Sequence, residues 1–167
     1  MTTEGADEAW MARALALAEQ AEALDEVPVG AVVVLNGEAV GEGFNQPISG
    51  HDPTAHAEVR ALRDAAQQVG NYRLTDAVLY VTLEPCTMCA GALVHARIGT
   101  LVFGAREPKA GAIRSRARML EAEHLNWQIG VREGVCEPAC RDQLTAFFAR
   151  RRAEKKKRRN DSEGEDA

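Results

Sequence analysis

The sequence lacks long hydrophobic runs, and none of its apolar stretches approaches the roughly 18 residues needed to span a membrane. It begins Met1-Thr2-Thr3-Glu4 and so also lacks the basic segment and apolar core of a secretory signal. Neither an internal repeat nor a linker between domains is recognisable. From these absences we expect a cytoplasmic protein whose residues 1–159 form one domain. Four of the eight residues 160–167 are acidic and none is basic, and we expect this segment to be a disordered tail.

Cysteine is scarce, because the chain has only four such residues: Cys86, Cys89, Cys136 and Cys140. In a reducing compartment these thiols are better interpreted as metal ligands or free thiols than as disulfides. Hydrophobic residues make up 46% of the chain and charged residues 27%, which is ordinary for a globular protein, so composition alone indicates no function.

The charge is distributed unevenly along the chain. Residues 1–149 contain 20 acidic and 12 basic residues, a formal charge of −8, whereas eight basic residues lie between Arg150 and Arg159. Clustered lysines and arginines neutralise phosphates, so this basic run predicts contact with a polyanion such as a nucleic acid. The alternative interpretation is a solvated helix end.

Hydrophobic periodicity predicts helices alternating with strands. Asn36-Gly37, between two apolar segments, predicts a hairpin turn. In the last helix we expect Leu144, Phe147 and Phe148 to lie on the buried face, and residues 105–127 show no clear pattern. This alternation predicts an α/β fold, a three-layer α/β/α sandwich around a five-stranded mixed sheet. The predicted helices are 7–24, 55–68, 85–97 and 138–159, and the predicted strands are 29–35, 39–44, 78–83, 98–104 and 128–133.

Two short motifs, His56-Ala57-Glu58 and Pro85-Cys86-Thr87-Met88-Cys89, indicate a metal site. One imidazole and two thiolates suit zinc, and three protein ligands leave a fourth tetrahedral position open, as in catalytic rather than structural sites. Each motif alone is weak, but H-x-E followed by P-C-x-x-C is the pattern of zinc-dependent nucleobase deaminases.

Their positions at helix starts explain how the motif residues could converge. Cys86 and Cys89 share one face of a first helical turn. His56 and Glu58 converge only if the metal lies off their helix N-terminus, and Thr54 as N-cap would place both in the first turn. The competing interpretation is a structural four-cysteine zinc site that includes Cys136 and Cys140. It leaves His56 and Glu58 without a role and does not match a compact four-cysteine module.

Further segments resemble a known family over roughly residues 8–152. They are Val27–Ala31, Gly43–Pro47, Asp52–Glu58, Asn71–Leu74, Tyr80–Ala92, Val102–Arg106 and Phe147-Phe148. In these segments the chain resembles the bacterial tRNA-specific adenosine deaminases of the cytidine-deaminase-like superfamily. The zinc motif is shared across that superfamily, whereas the flanking segments distinguish this family within it.

The resemblance implies deamination of adenosine to inosine at the wobble position of a tRNA anticodon, by a homodimer that carries one Zn²⁺ per chain. It implies that His56, Cys86 and Cys89 bind the metal, that Glu58 shuttles protons and that Asn45 hydrogen-bonds the flipped-out base. Glu107, Lys109 and Phe148 match family positions near the bound anticodon loop. The chain departs from the family at Glu107, where aspartate is common, at Arg114–Arg118, where few residues are charged, and at Trp127, where histidine is usual.

Two alternatives remain open from the sequence. The first is a deaminase of a free nucleobase or nucleoside, against which the basic C-terminal run and the family-specific flanks argue. The second is a non-enzymatic RNA-binding or scaffold protein that retains zinc, against which Glu58 argues, because a purely structural site does not need this carboxylate.

Overall fold

The computed structural model describes residues 2–165. It contains five strands, four α-helices and a short 3₁₀ helix at Met119–Glu121. The elements in chain order are α1 (Thr3–Ala23), β1 (Gly30–Leu35), β2 (Glu38–Phe44), α2 (Ala57–Val69), β3 (Val78–Leu83), α3 (Thr87–His95), β4 (Thr100–Ala105), β5 (Gly130–Glu133) and α4 (Glu137–Glu165).

The five strands form one mixed sheet in the order β2-β1-β3-β4-β5. β1 is antiparallel to β2 and to β3, whereas β3, β4 and β5 run parallel. Alternating side chains of β1 enter two different cores: Val33 packs with α2 and α3, and Val32 packs with α1 and Cys140 of α4. Because the apolar residues face both ways, the strand is apolar throughout, as expected for a sheet covered by helices on both sides. The predicted α/β/α sandwich is confirmed.

The hairpin between β1 and β2 follows the predicted turn. Leu35 pairs with Glu38, so only Asn36 and Gly37 form the connection. Both residues have positive φ, 53° and 76°, which is the backbone of the two-residue turn that Asn-Gly favours.

The helix over the β1–β2 hairpin approaches it closely. A Cβ at Gly41 would lie 2.4 Å from the Ala61 carbonyl oxygen, so only glycine allows this separation between β2 and α2. The close packing fixes the position of the α2 N-terminus, where the His56-Ala57-Glu58 motif lies.

Several element boundaries differ from the sequence prediction: α1 begins at Thr3 rather than at residue 7, and the start of α2 and the end of α4 also differ. Thr54 is not the N-cap of α2: it lies in a turn in which its backbone N–H and its hydroxyl donate to Asp52 Oδ1, at 2.8 and 2.7 Å, and His56 takes the N-cap position instead. α4 does not end near Arg159 but continues to Glu165, and an i,i+4 pair between Arg159 and Glu163, at 3.9 Å, accompanies this extension. Residues 160–165 are therefore helical, and residues 166–167 of the expected tail lie outside the described residues.

The loops that follow β2, β3, β4 and β5 lie at one edge of the sheet. The carboxyl ends of β3, β4 and β5 meet there, because Leu83 pairs with Ala105 and Phe103 pairs with Glu133. The start of β1 and the end of β2 lie at the same edge, because Ala31 pairs with Val81 near the end of β3 and Gly30 pairs with Phe44 at the end of β2. Among residues 2–165, no helix has both the length and the apolar character needed to cross a membrane.

Candidate active site

The metal-ligand candidates converge at this edge from two helix N-termini. His56 is the N-cap of α2, Cys86 is the N-cap of α3, and Cys89 lies in the first turn of α3. The His56 Nδ1 atom is 3.5 Å from the Sγ atoms of both cysteines, and all three ligand atoms lie within 4.8 Å of one another. Both helices direct their unpaired N–H groups toward this cluster, which favours thiolates.

The separations fit a tetrahedral zinc ion. With a Zn–S bond of about 2.3 Å, a Zn–N bond of about 2.0 Å and a tetrahedral angle, the nitrogen and sulfur ligands should be about 3.5 Å apart. Both measured Nδ1–Sγ distances are 3.5 Å. The donor set and its spacing therefore match zinc without rearrangement.

The protonation of the three side chains is coupled. A hydrogen bond from the Cys89 thiol, together with the His56 ring, lowers the pKa of Cys86 to about 4, while the same bond and burial raise the pKa of Cys89. Contact with Cys86 raises the pKa of His56. Because zinc binds thiolates and neutral imidazole, occupation of this site would release protons.

Glu58 lies beside the ligands but is not one of them. It is in the first turn of α2, two residues after His56, and only 4% of its surface is exposed. Burial raises the pKa of its carboxyl group. A carboxyl group with a raised pKa next to a metal site is suited to accept and donate protons at neutral pH.

The remaining predicted site residues do not join the metal cluster, and three of them, Asn45, Glu107 and Lys109, lie in loops at the same edge of the sheet. Asn45 follows β2 directly, and its backbone N–H donates to the Val29 carbonyl at 3.1 Å. Glu107 and Lys109 lie in the loop after β4, where the Lys109 backbone N–H donates to Glu107 Oε1 at 2.8 Å. Phe148 does not lie on the buried face of α4 as expected, since 44% of it is exposed.

The four-cysteine alternative is wrong. Cys140 is buried on the opposite face of the sheet, against Gly104 and α1, and Cys136 lies at the start of α4. In residues 2–165, the only group of three or more metal-ligating side chains is His56, Cys86 and Cys89.

Sequence analysis missed two buried carboxylates that hold loops of the site. Glu26 is fully buried and accepts hydrogen bonds from the backbone N–H groups of Ile48 and Ser49, at 3.1 and 2.9 Å, in the loop that follows Asn45. Glu84 is 2% exposed and binds the loop after β4. A charged residue adjoining an apolar strand, as in Leu83-Glu84-Pro85, was a signal that could have identified the second.

The chain is similar in sequence to known zinc-binding deaminases. Residues 4–105 match the family described as the cytidine and deoxycytidylate deaminase zinc-binding region. A tRNA-specific adenosine deaminase from Haemophilus influenzae is 52% identical over 151 residues, which cover 90% of this chain and 87% of the relative.

Two solved structures share the fold. One, from work on A-to-I editing by tRNA:A34 deaminases at the wobble position of transfer RNA, is 42% identical with a TM-score of 0.79, over 81% of this chain and 98% of the other. A guanine deaminase from Nitrosomonas europaea is 26% identical with a TM-score of 0.72, over 85% of this chain and 84% of the other.

Proposed function

Since the chain belongs to the tRNA-specific adenosine deaminases, within the zinc-binding cytidine and deoxycytidylate deaminases, we propose that it converts adenosine to inosine at the wobble position of a tRNA anticodon. The reaction is a hydrolysis in which water replaces the 6-amino group of adenine and ammonia leaves. The observation that carries the proposal is the spacing of His56, Cys86 and Cys89 with the buried Glu58 beside them.

In this mechanism His56, Cys86 and Cys89 would hold one zinc ion per chain. When bound, zinc would act as a Lewis acid that activates water at neutral pH. The protein's own contribution begins with the two helix N-termini, which would stabilise negative charge on the oxygen that attacks the reacting carbon.

Glu58 moves the protons. Because burial raises its pKa, the carboxyl group can take a proton from the attacking water and give it to a ring nitrogen of adenine as the new C–O bond forms. It can then take the remaining proton from the new C6 hydroxyl group and give it to the amino group, which leaves as ammonia when the C–N bond breaks. Asn45, at the end of β2, hydrogen-bonds the extruded base. An anticodon loop is already single-stranded, so extruding the base costs less than from a duplex.

The RNA outside the pocket meets the loops of the same edge. We assign Glu107, Lys109 and the exposed ring of Phe148 to contacts with the anticodon loop. Exposed aromatic rings can stack on unpaired bases, and exposed lysines meet phosphates. Residues 1–159 would act as the single deaminase domain, in the cytoplasm, where the tRNA substrate is found.

The chain is also proposed to act as a homodimer, as its family resemblance implies. The outer surface of α2 and α3 offers a largely apolar hollow of about 370 Å³, beside Tyr72, which is 65% exposed. Light scattering of the purified protein would give twice the chain mass if this assembly forms, and the chain mass if it does not.

Comparing turnover of an anticodon stem-loop with turnover of free adenosine tests the proposed substrate. We expect kcat/KM for the stem-loop to be higher by several orders of magnitude, and Glu58→Ala to slow ammonia release from it by about 10²–10⁴-fold. The similarity to a guanine deaminase supports a second candidate, deamination of a free base. Efficient turnover of guanine or free adenosine, with an inert stem-loop, would favour that candidate.

A further inference from the structure

The loop between β4 and the 3₁₀ helix is folded around a single buried carboxylate. Glu84 accepts four backbone hydrogen bonds from this loop and one from a serine hydroxyl. The backbone donors and their distances are Glu107 at 3.1 Å, Ile113 at 3.1 Å, Arg114 at 2.8 Å and Ser115 at 3.0 Å, and the hydroxyl belongs to Ser115.

Close packing ties the same loop to the metal site. A Cβ at Gly111 would lie 2.4 Å from the Glu84 carboxyl carbon, so the loop backbone lies directly on the carboxylate. The backbone N–H of Ala112 donates to the carbonyl of Pro85 at 2.9 Å. Since Pro85 immediately precedes the ligand Cys86, the loop is held in place beside the reaction centre before any substrate binds.

This loop, residues 106–118, is named the arginine loop for its charge. It contains five basic residues and one acidic residue, whereas the other residues of the range 1–149 carry a formal charge of −12. Arg106 is paired with Glu133 at 2.9 Å, and Arg118 is paired with Glu121. In the described part of the chain, no ion pair includes Lys109, Arg114 or Arg116.

We propose that the arginine loop is a phosphate-binding rim of the active site, in which Arg114 and Arg116 bind backbone phosphates of nucleotides next to the target adenosine. This inference rests on the proposed function. When the base enters the buried pocket, the sugar-phosphate backbone on either side of it stays at the mouth. Within residues 2–165, neither guanidinium group forms an ion pair: Arg114 is close enough to Glu121 and Glu133 to interact with them electrostatically, but its guanidinium group hydrogen-bonds only the Ile113 carbonyl, at 3.3 Å. The planar donors of both arginines match phosphate oxygens.

The arginine loop is ordered before RNA binds, which lowers the conformational-entropy cost of binding. The Glu84 carboxylate and the packing of Gly111 already fix the backbone that carries Arg114, so binding RNA orders few additional residues. The rim therefore adds affinity close to the reacting base, where it can hold the target nucleotide in register.

A double variant, Arg114→Gln with Arg116→Gln, tests the proposal. The matched control is Arg13→Gln with Arg141→Gln, which removes the same charge from two arginines paired with carboxylates. Binding of an anticodon stem-loop is measured on zinc-loaded protein carrying Glu58→Ala, so that the RNA is not turned over. We expect about tenfold weaker binding or more, and a plot of log affinity against log salt that is shallower by about 1.4.

The same double variant in the active enzyme should raise KM for the stem-loop and lower kcat/KM by at least the factor by which the affinity falls. Equal effects of the double variant and its control on affinity and salt slope would overturn the proposal. If the double variant does not fold, the single variant Arg116→Gln at an exposed position replaces it. The expected change in the slope of log affinity against log salt is then half as large, about 0.7. Failure of the wild type to deaminate the stem-loop would instead refute the proposed function, because binding is measured separately.

Discussion

The C-terminal half of α4 provides a test of how the RNA is held outside the active site. Arg150 pairs with Asp25 at 3.4 Å, and Arg151 donates to the Asp25 carbonyl, so the helix is fixed at the α1–β1 loop. From there to Glu165 it continues for about 21 Å at 1.5 Å per residue. Every residue from Lys155 to Gly164 is exposed. The perturbation is to replace Lys155, Lys156, Lys157 and Arg158 with glutamine, which preserves helix propensity.

The geometry of the helix limits the expected effect. Four consecutive residues are spread around most of the helix circumference, so only two or three of them can face one RNA strand together. Each phosphate contact adds about 0.7 to the salt slope for a single strand and about 0.9 for a duplex. The substitutions should therefore lower the slope by about 1.4 to 2.7. Over a fourfold rise in salt, the wild type should lose about 7- to 40-fold more affinity than the variant.

The assay is stem-loop binding at several salt concentrations, with circular dichroism to confirm that the helix is retained. The control exchanges the same residues while keeping their charge: Lys155→Arg, Lys156→Arg, Lys157→Arg and Arg158→Lys. It should bind with the wild-type slope, and preference among tRNAs should be unchanged in both variants, because phosphate contacts carry no sequence information. An unchanged slope in the glutamine variant would refute the reasoning and leave this part of α4 a solvated helix end.

Three further outcomes are expected from the active site. Cys86→Ala should lose both zinc and activity, whereas Cys136→Ala should keep both; zinc analysis that shows metal loss in the second variant would refute the ligand set. Glu58→Ala should keep zinc and RNA binding and slow single-turnover deamination by about 10²–10⁴-fold, and loss of its zinc would contradict the proton-transfer role. Asn45→Ala should reduce the single-turnover rate far more than RNA affinity, and equal losses in both measurements would count against its contact with the base.

Hydrophobic patterning was sufficient to predict the sheet, because the central strands β1, β3 and β4 are covered on both faces and are apolar almost throughout. All five predicted strands are present, and the family resemblance is confirmed. The start of α2 was predicted wrongly because two capping arrangements compete there. Asp52 captures the N–H and hydroxyl of Thr54 in a local turn, which leaves the cap position to His56. Placing His56 at the cap brings its ring off the helix end, where it reaches the cysteines.

Other features depend on contacts that no local pattern contains. Glu84 receives its partners from a loop more than twenty residues further along the chain, in a segment without recognisable periodicity. Phe148 fits the apolar face of α4 by spacing, yet its neighbour Phe147 fills the buried position and meets it edge to face at 5.3 Å. Which of two adjacent rings is buried follows from how the helix is rotated against the sheet, which is a property of the whole fold.

Sequencing total tRNA after incubation with the purified zinc-loaded protein tests the central claim most directly. Inosine is read as guanosine, so each converted adenosine is located at single-nucleotide resolution. We expect conversion at wobble position 34 of tRNAs that carry adenosine there, at no other adenosine, and not with Glu58→Ala. An unchanged wobble adenosine with the zinc-loaded wild type, or equal conversion at adenosines throughout the tRNA, would contradict the account.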